Sequence, residues 1–213
     1  EWFGRIRYAD AHARMSAALD ARLDDQIPDT LLLMESEPVY TVGRHRSADA
    51  NVLAPGDVPV VAVKRGGDVT FHGPGQLVGY PIVRLPEHRR DAHAWLAGLE
   101  DVCSSTIGWW DVVGERDPRN TGIWVEGRKI AAIGVALRRW VSWHGFAINN
   151  TINLDFYQRI NPCGMDSSLV TRLADHVPHA PRIEELRDAA AAEFRRWWGE
   201  WSDPDRADPA TKG

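Results

Sequence analysis

Apolar residues recur along this chain with two different periods, and the periods separate helices from strands. Between Tyr8 and Gln26, Met15, Leu19 and Leu23 return every four residues, the spacing that lines one face of an α-helix. Trp95, Leu99, Val102, Cys103 and Thr106 do the same within Asp91 to Ile107. So do Ile183, Leu186, Ala190, Phe194 and Trp197 within Arg182 to Trp201, where Pro181 suits the first turn. Short β-branched and aliphatic runs read as strands: Thr30 to Met34, Val39 to Val42, Val58 to Val63, Leu77 to Val83, Trp109 to Val113 and Val141 to Ile148. Gly122 to Leu137 reads as a hairpin with its turn at Glu126-Gly127. Residues 45–57 and 114–120 are polar loops, and the segment from Leu169 shows no clear period. Strands mixed with helices, without regular βαβ alternation, predict an α+β sheet domain rather than a doubly wound one.

The 213 residues are enough for one domain with a substantial core, expected over 1–201, followed by a polar, proline-bearing tail at 202–213 expected to be disordered. No apolar stretch approaches the roughly 18 residues of a membrane span, and no signal-peptide pattern opens the chain. A net charge of −5 argues against nonspecific nucleic-acid binding. Basic pairs (Arg44 with Arg46, Lys64-Arg65, Arg89-Arg90, Arg138-Arg139) are either solvated surface or docking points for an acidic partner. Two cysteines make no disulfide framework, and a reducing, cytoplasmic setting follows. Ten tryptophans fit packing better than a ligand cage, since Trp95, Trp197, Trp198 and Trp201 fall on helical stripes.

The chemistry concentrates in three segments. Arg65 to Gln76 packs four glycines, a proline, an arginine and a histidine into twelve residues, without the pattern of a Walker loop or of GxGxxG. Such density costs backbone entropy, so it marks sharp turns or close approach of another group. Gly127 to Gly134 carries Lys129 at a strand start. Alternation points Lys129 with Ala131, Ile133, Val135 and Leu137, at the edge of the bulkier face, where desolvation would lower its pKa from about 10.4; a strand-end lysine snorkelling to water is the alternative. Asn161 to Gly164 holds Cys163 in a loop. The following Asp166-Ser167-Ser168 resembles a helix N-cap whose free N–H groups would favour a thiolate. Cys103, on a core-facing stripe, reads as structural. Cys163 and Lys129 are therefore the candidate nucleophile and its partner.

These segments resemble the lipoyl(octanoyl) transferase family. The resemblance runs from about Leu31 to Leu173. It includes Glu37-Pro38-Val39-Tyr40-Thr41-Val42-Gly43-Arg44, the RGGxxTxHGPGQLxGYPI run from Arg65, GRKIAAIG from Gly127, His144 to Asn149, and Pro162-Cys163-Gly164. It implies transfer of an octanoyl group from acyl carrier protein to a lysine of lipoyl domains, including those of 2-oxoacid dehydrogenases and the glycine cleavage H protein. It implies Cys163 as thioester carrier and Lys129 as its partner. Substrate contacts would come from Arg65, Gly66, Gly67, Asp68, Val69, Thr70, Phe71 and His72, from Ala132, Ile133 and Gly134, and from Gly145, Phe146 and Ala147. It further implies the curved mixed sheet flanked by helices of biotin and lipoate protein ligases, with no cofactor and no metal. No nucleic-acid or membrane partner is expected, and a monomer is. An ATP-dependent ligase of the same fold, an amidotransferase between lipoyl-carrying proteins and a noncatalytic carrier-binding module remain alternatives.

Overall fold

The computed structural model describes residues 1–45 and 48–206, apart from the side chain of Cys163. Arg46 of the first basic pair and residues 207–213 of the expected tail lie outside the described residues.

In chain order the elements are β1 (Trp2–Ile6), α1 (Tyr8–Leu23), β2 (Thr30–Ser36), β3 (Val39–Val42), β4 (Val60–Ala62), β5 (Val69–His72) and β6 (Gln76–Ile82). There follow α2 (Ala92–Ile107), β7 (Glu115–Arg116), β8 (Gly122–Val125), β9 (Arg128–Arg138), β10 (Val141–Asn149) and α3 (Ile183–Trp201). A mixed seven-stranded sheet runs β1-β2-β6-β10-β9-β8-β7, and only its β1–β2 pair is parallel. A second sheet runs β4-β3-β5.

Alternation along the strands feeds two cores. Leu32 and Met34 face α1, where Met15 and Leu19 cover them, while Leu33 faces the opposite layer of α2 and α3. There Trp95 is fully buried, its ring 5.6 to 5.7 Å from those of Trp197, Trp198 and Trp201, and its Nε1 donates to Ser142 Oγ at 3.0 Å. Asp91 caps α2 by accepting from the backbone N–H groups of His93 and Ala94. No described helix is long and apolar enough to cross a membrane.

Several expectations need correction. Trp109 to Val113 is not a strand: a 3-10 turn at Gly108–Trp110 extends α2, and Asp111 takes a left-handed φ of 59°. Val112 and the half-buried Trp110 face the core while Trp109 and Val113 stand in water, but no described strand pairs with the run, so its alternating burial comes without a ladder. Arg182 caps α3, its backbone N–H donating to the Glu185 carboxylate at 2.8 Å, so Pro181 precedes the first turn instead of occupying it. The strand at β1 and the short β7 carry no clear alternation and were not expected from the pattern. Ser202–Arg206, the start of the expected tail, is a turn whose Arg206 carbonyl accepts from Arg89 Nη2 at 3.2 Å.

The correction that matters for chemistry lies in β9. Ile123 pairs with Ala131 but Trp124 pairs with Lys129, so Ile130 is an extra residue, a β-bulge. Ile130 and Ala131 both enter the α2/α3 core. The bulge reverses the alternation, and Lys129 points with Ala132 and Gly134, opposite to the side that simple alternation predicts.

Candidate active site

Between the two sheets lies a cavity of about 460 Å³. Its floor is the small-residue face of β9 and β10, namely Ala132, Gly134, Gly145 and Ala147, with Ile133 and Phe146 contributing. Its wall is the loop and strand from Arg65 to Thr70, with His72, and Tyr8 and Tyr80 close one end. Lys129, Asn120 and Arg119 border the other. Of the expected contact residues only Phe71 is absent from the lining: it stacks on Phe156 at 4.5 Å in a separate core cluster. Strand alternation in β5 sends Phe71 away from the side that Thr70 and His72 face.

The glycine run is held in place by its own polar groups. The Gly66 N–H donates to the Val135 carbonyl at 2.9 Å, stitching the loop to β9. Arg65 is buried; Nη2 donates to the Thr41 carbonyl at 2.8 Å and Thr41 Oγ1 at 3.0 Å, and Nη1 to the Gly66 carbonyl at 3.0 Å. Asp68 accepts from the Val69 N–H at 2.6 Å and from Asn51 Nδ2 at 2.7 Å, pinning residue 51 to the loop. Gly67 has a φ of +83°, and a side chain at Gly43 would run into the Gly67 carbonyl. Arg65 and Asp68 thus shape the wall, and both are occupied in doing so.

Lys129 is buried, 6% exposed, and Nζ donates to Asn120 Oδ1 at 2.6 Å, 5.9 Å from the Trp124 ring. Its carbonyl accepts from the Thr171 N–H at 2.9 Å, which ties the segment after Cys163 to the lysine strand. Cys163 lies in a 3-10 turn, Pro162–Gly164, that closes with Gly164 at a φ of +69°. The turn packs against β5, and the Asn161 N–H donates to the Asn51 carbonyl at 2.8 Å. Asp166 caps only a three-residue 3-10 turn, Ser167–Leu169, so no helix N-terminus stands beside Cys163 as its sequence context suggested. Asn120 escaped sequence reasoning because nothing in a charged loop marks one amide as a lysine partner.

Three histidines line the cavity: His45 is exposed, while His72 and His144 are buried. Burial, together with the nearby Arg65 guanidinium, pulls His72 down to about 4, against its hydrogen bond to Gln76 Oε1, which raises it. His144, 2% exposed and with a left-handed φ of 57°, falls to about 3, mainly by burial and then through Arg65, His12 and His72. Both native values lie below the unfolded value of about 6.5. As pH falls the unfolded chain takes up protons first, so stability is intact above about pH 6.5 and drains away toward the native values. Melting temperature should therefore drop between about pH 7 and 5, where carboxylates hardly titrate. The expected loss is several kcal/mol, at about 1.4 per pKa unit. His144→Asn, which tolerates the left-handed backbone, should flatten that slope. Calorimetry showing a flat wild-type profile, or an unchanged slope in the variant, would refute the assignment.

The profile of the lipoyl protein ligase A/B catalytic domain matches residues 7–195. The chain belongs to that family. It is 42% identical over 199 residues to an octanoyltransferase of Nostoc punctiforme, covering 92% of this chain and 86% of the relative. It is 46% identical over 205 residues to one of Rubrobacter xylanophilus, covering 92% and 91%. At this likeness the protein is an acyltransferase of the octanoyltransferase branch. A solved lipoate-protein ligase A bound with ATP superposes with a TM-score of 0.73 at 14% identity, covering 92% of this chain and 83% of that one. The biotin protein ligase of Leishmania major superposes with 0.60 at 12% identity, covering 96% and 74%. The expected biotin and lipoate ligase fold, an open mixed sheet flanked by helices, is therefore present.

Proposed function

We propose that the protein moves an octanoyl group from acyl carrier protein to a lysine of lipoyl domains, in the cytoplasm, through a thioester on Cys163. The observation that carries this reading is buried Lys129 at one end of a cavity floored by small residues. Six methylenes laid on that floor contribute roughly 5 kcal/mol at about 0.8 each, which favours an extended acyl chain.

The Cys163 thiolate attacks the carrier thioester carbonyl carbon, and the carrier C–S bond breaks. The departing carrier thiolate takes a proton from the Lys129 ammonium. The neutral Lys129 amine then accepts a proton from the incoming lysine as its nitrogen bonds to the acyl carbon. The C–S bond to Cys163 breaks, restoring thiolate and ammonium. The carrier thioester is already activated, so the step draws on no ATP. Asn120 holds Lys129 Nζ toward the cavity without a competing charge. Intact mass after incubation with octanoyl carrier protein should show one added octanoyl group, released by hydroxylamine and independent of ATP. Modification that requires free octanoate and ATP would instead support ligase chemistry and end this reading.

A further inference from the structure

His72 is a buried imidazole on the cavity wall that the transfer steps above leave unused. Its protonation is dictated by a chain of hydrogen bonds anchored at both ends on backbone carbonyls. The Phe71 carbonyl accepts from Gln76 Nε2 at 3.2 Å, and the Thr171 carbonyl accepts from Asn149 Nδ2 at 2.9 Å. A carbonyl oxygen only accepts, so each anchor decides which way its amide faces. Asn149 then turns Oδ1 to Gln76 Nε2 at 2.9 Å, and Gln76 turns Oε1 to His72 Nδ1 at 2.7 Å. An amide oxygen likewise only accepts, so Nδ1 carries the hydrogen. With a pKa pulled down to about 4, the ring is neutral near pH 7 and Nε2 keeps a bare lone pair. No described residue bonds to Nε2, and the ring borders the cavity.

Among the residues that line the same cavity, Arg65, Arg119 and Lys129 only donate. The Asp68 carboxylate is engaged by Val69 and Asn51, and Asn120 Oδ1 by Lys129. We propose that His72 Nε2 orients the incoming lysine amine by accepting a hydrogen bond from its N–H while the amine lone pair faces the acyl carbon. The inference rests on the aminolysis step proposed above. A carboxylate in this position would hold the lysine as an ammonium, which has no lone pair to attack with. A weakly basic imidazole accepts from the neutral amine without protonating. The proton released as the C–N bond forms and the C–S bond breaks goes to Lys129, and His72 stays neutral throughout. The chain through Gln76 and Asn149 makes His72 a positioning residue, held in one tautomer.

Nitrogen NMR of the unmodified protein provides the first arm. The His72 ring should show a protonated Nδ1 and a bare Nε2 from about pH 8 to 5; a protonated Nε2, or titration near the ordinary value of about 6.5, overturns the proposal. Two-substrate kinetics provide the second. His72→Phe should lower kcat/KM for the lipoyl domain at least about tenfold more than kcat/KM for octanoyl carrier protein, the worth of one good hydrogen bond. His72→Gln, which restores an acceptor oxygen, should recover part of that loss. The ratio is independent of the fraction folded. An unchanged ratio, or a loss falling on the carrier, which would place an amide N–H of the carrier arm at Nε2, overturns it. Intersecting in place of parallel initial-rate lines would count against the thioester intermediate and leave this ratio readable.

Discussion

Cys163→Ala is expected to reduce octanoyl transfer by at least about a thousandfold, since no other thiol stands ready to carry the acyl group. Cys103, the other cysteine, is fully buried in the α2 core, among Leu99, Val102 and Ile107. Burial first, and the nearby Glu100 second, raise its thiol well above the ordinary range, so it stays protonated and out of reach. Peptide mapping of the octanoylated wild-type protein should therefore place the hydroxylamine-labile label on the peptide holding Cys163. The variant should keep its melting temperature and acquire no label. Transfer at near wild-type rate in the variant, or a label on the Cys103 peptide, would remove Cys163 from the reaction.

Lys129→Arg separates charge from proton transfer. A guanidinium remains protonated across the working range, so the variant keeps a cation but cannot take the proton of the incoming lysine. Transfer should fall by roughly two orders of magnitude or more, within the range general acid–base catalysis supplies. Alkylation of Cys163 by iodoacetamide near neutral pH should be largely preserved. Lys129→Ala should lose both, its alkylation midpoint moving up toward the free-thiol value of about 8.5. The variants also probe the bulge. A lysine directed at the α2/α3 core would leave an unfilled space there on truncation and cost stability, whereas one directed at the cavity should leave melting nearly unchanged. An alkylation profile in Lys129→Ala matching wild type would show that the two side chains do not interact, and the dyad would have to be abandoned.

The local pattern of the chain determined its helices and most of its strands, because a periodic apolar face forms wherever a helix or strand must lie on a core. Met15, Leu19 and Leu23, the Trp95 stripe and the Phe194 stripe all pack as their spacing requires. The motif segments were equally legible, since Arg65 to His72, Ala132 to Gly134 and Gly145 to Ala147 converge on one cavity, Phe71 excepted. What sequence could not supply is how neighbouring strands meet. Trp109 to Val113 has strand-like composition, and Trp110 and Val112 do pack toward the core, yet no described strand lies beside it to pair with. Whether Lys129 faces core or cavity depends on a single unpaired residue, Ile130, which exists only relative to β8. The same holds for the partners that complete the site. Asn120 reaches Lys129, and Asn149 reaches Gln76, 73 residues away, only after the sheet has formed. Period is a property of one segment and can be read from it, whereas register and side-chain hydrogen bonding are properties of pairs brought together by folding.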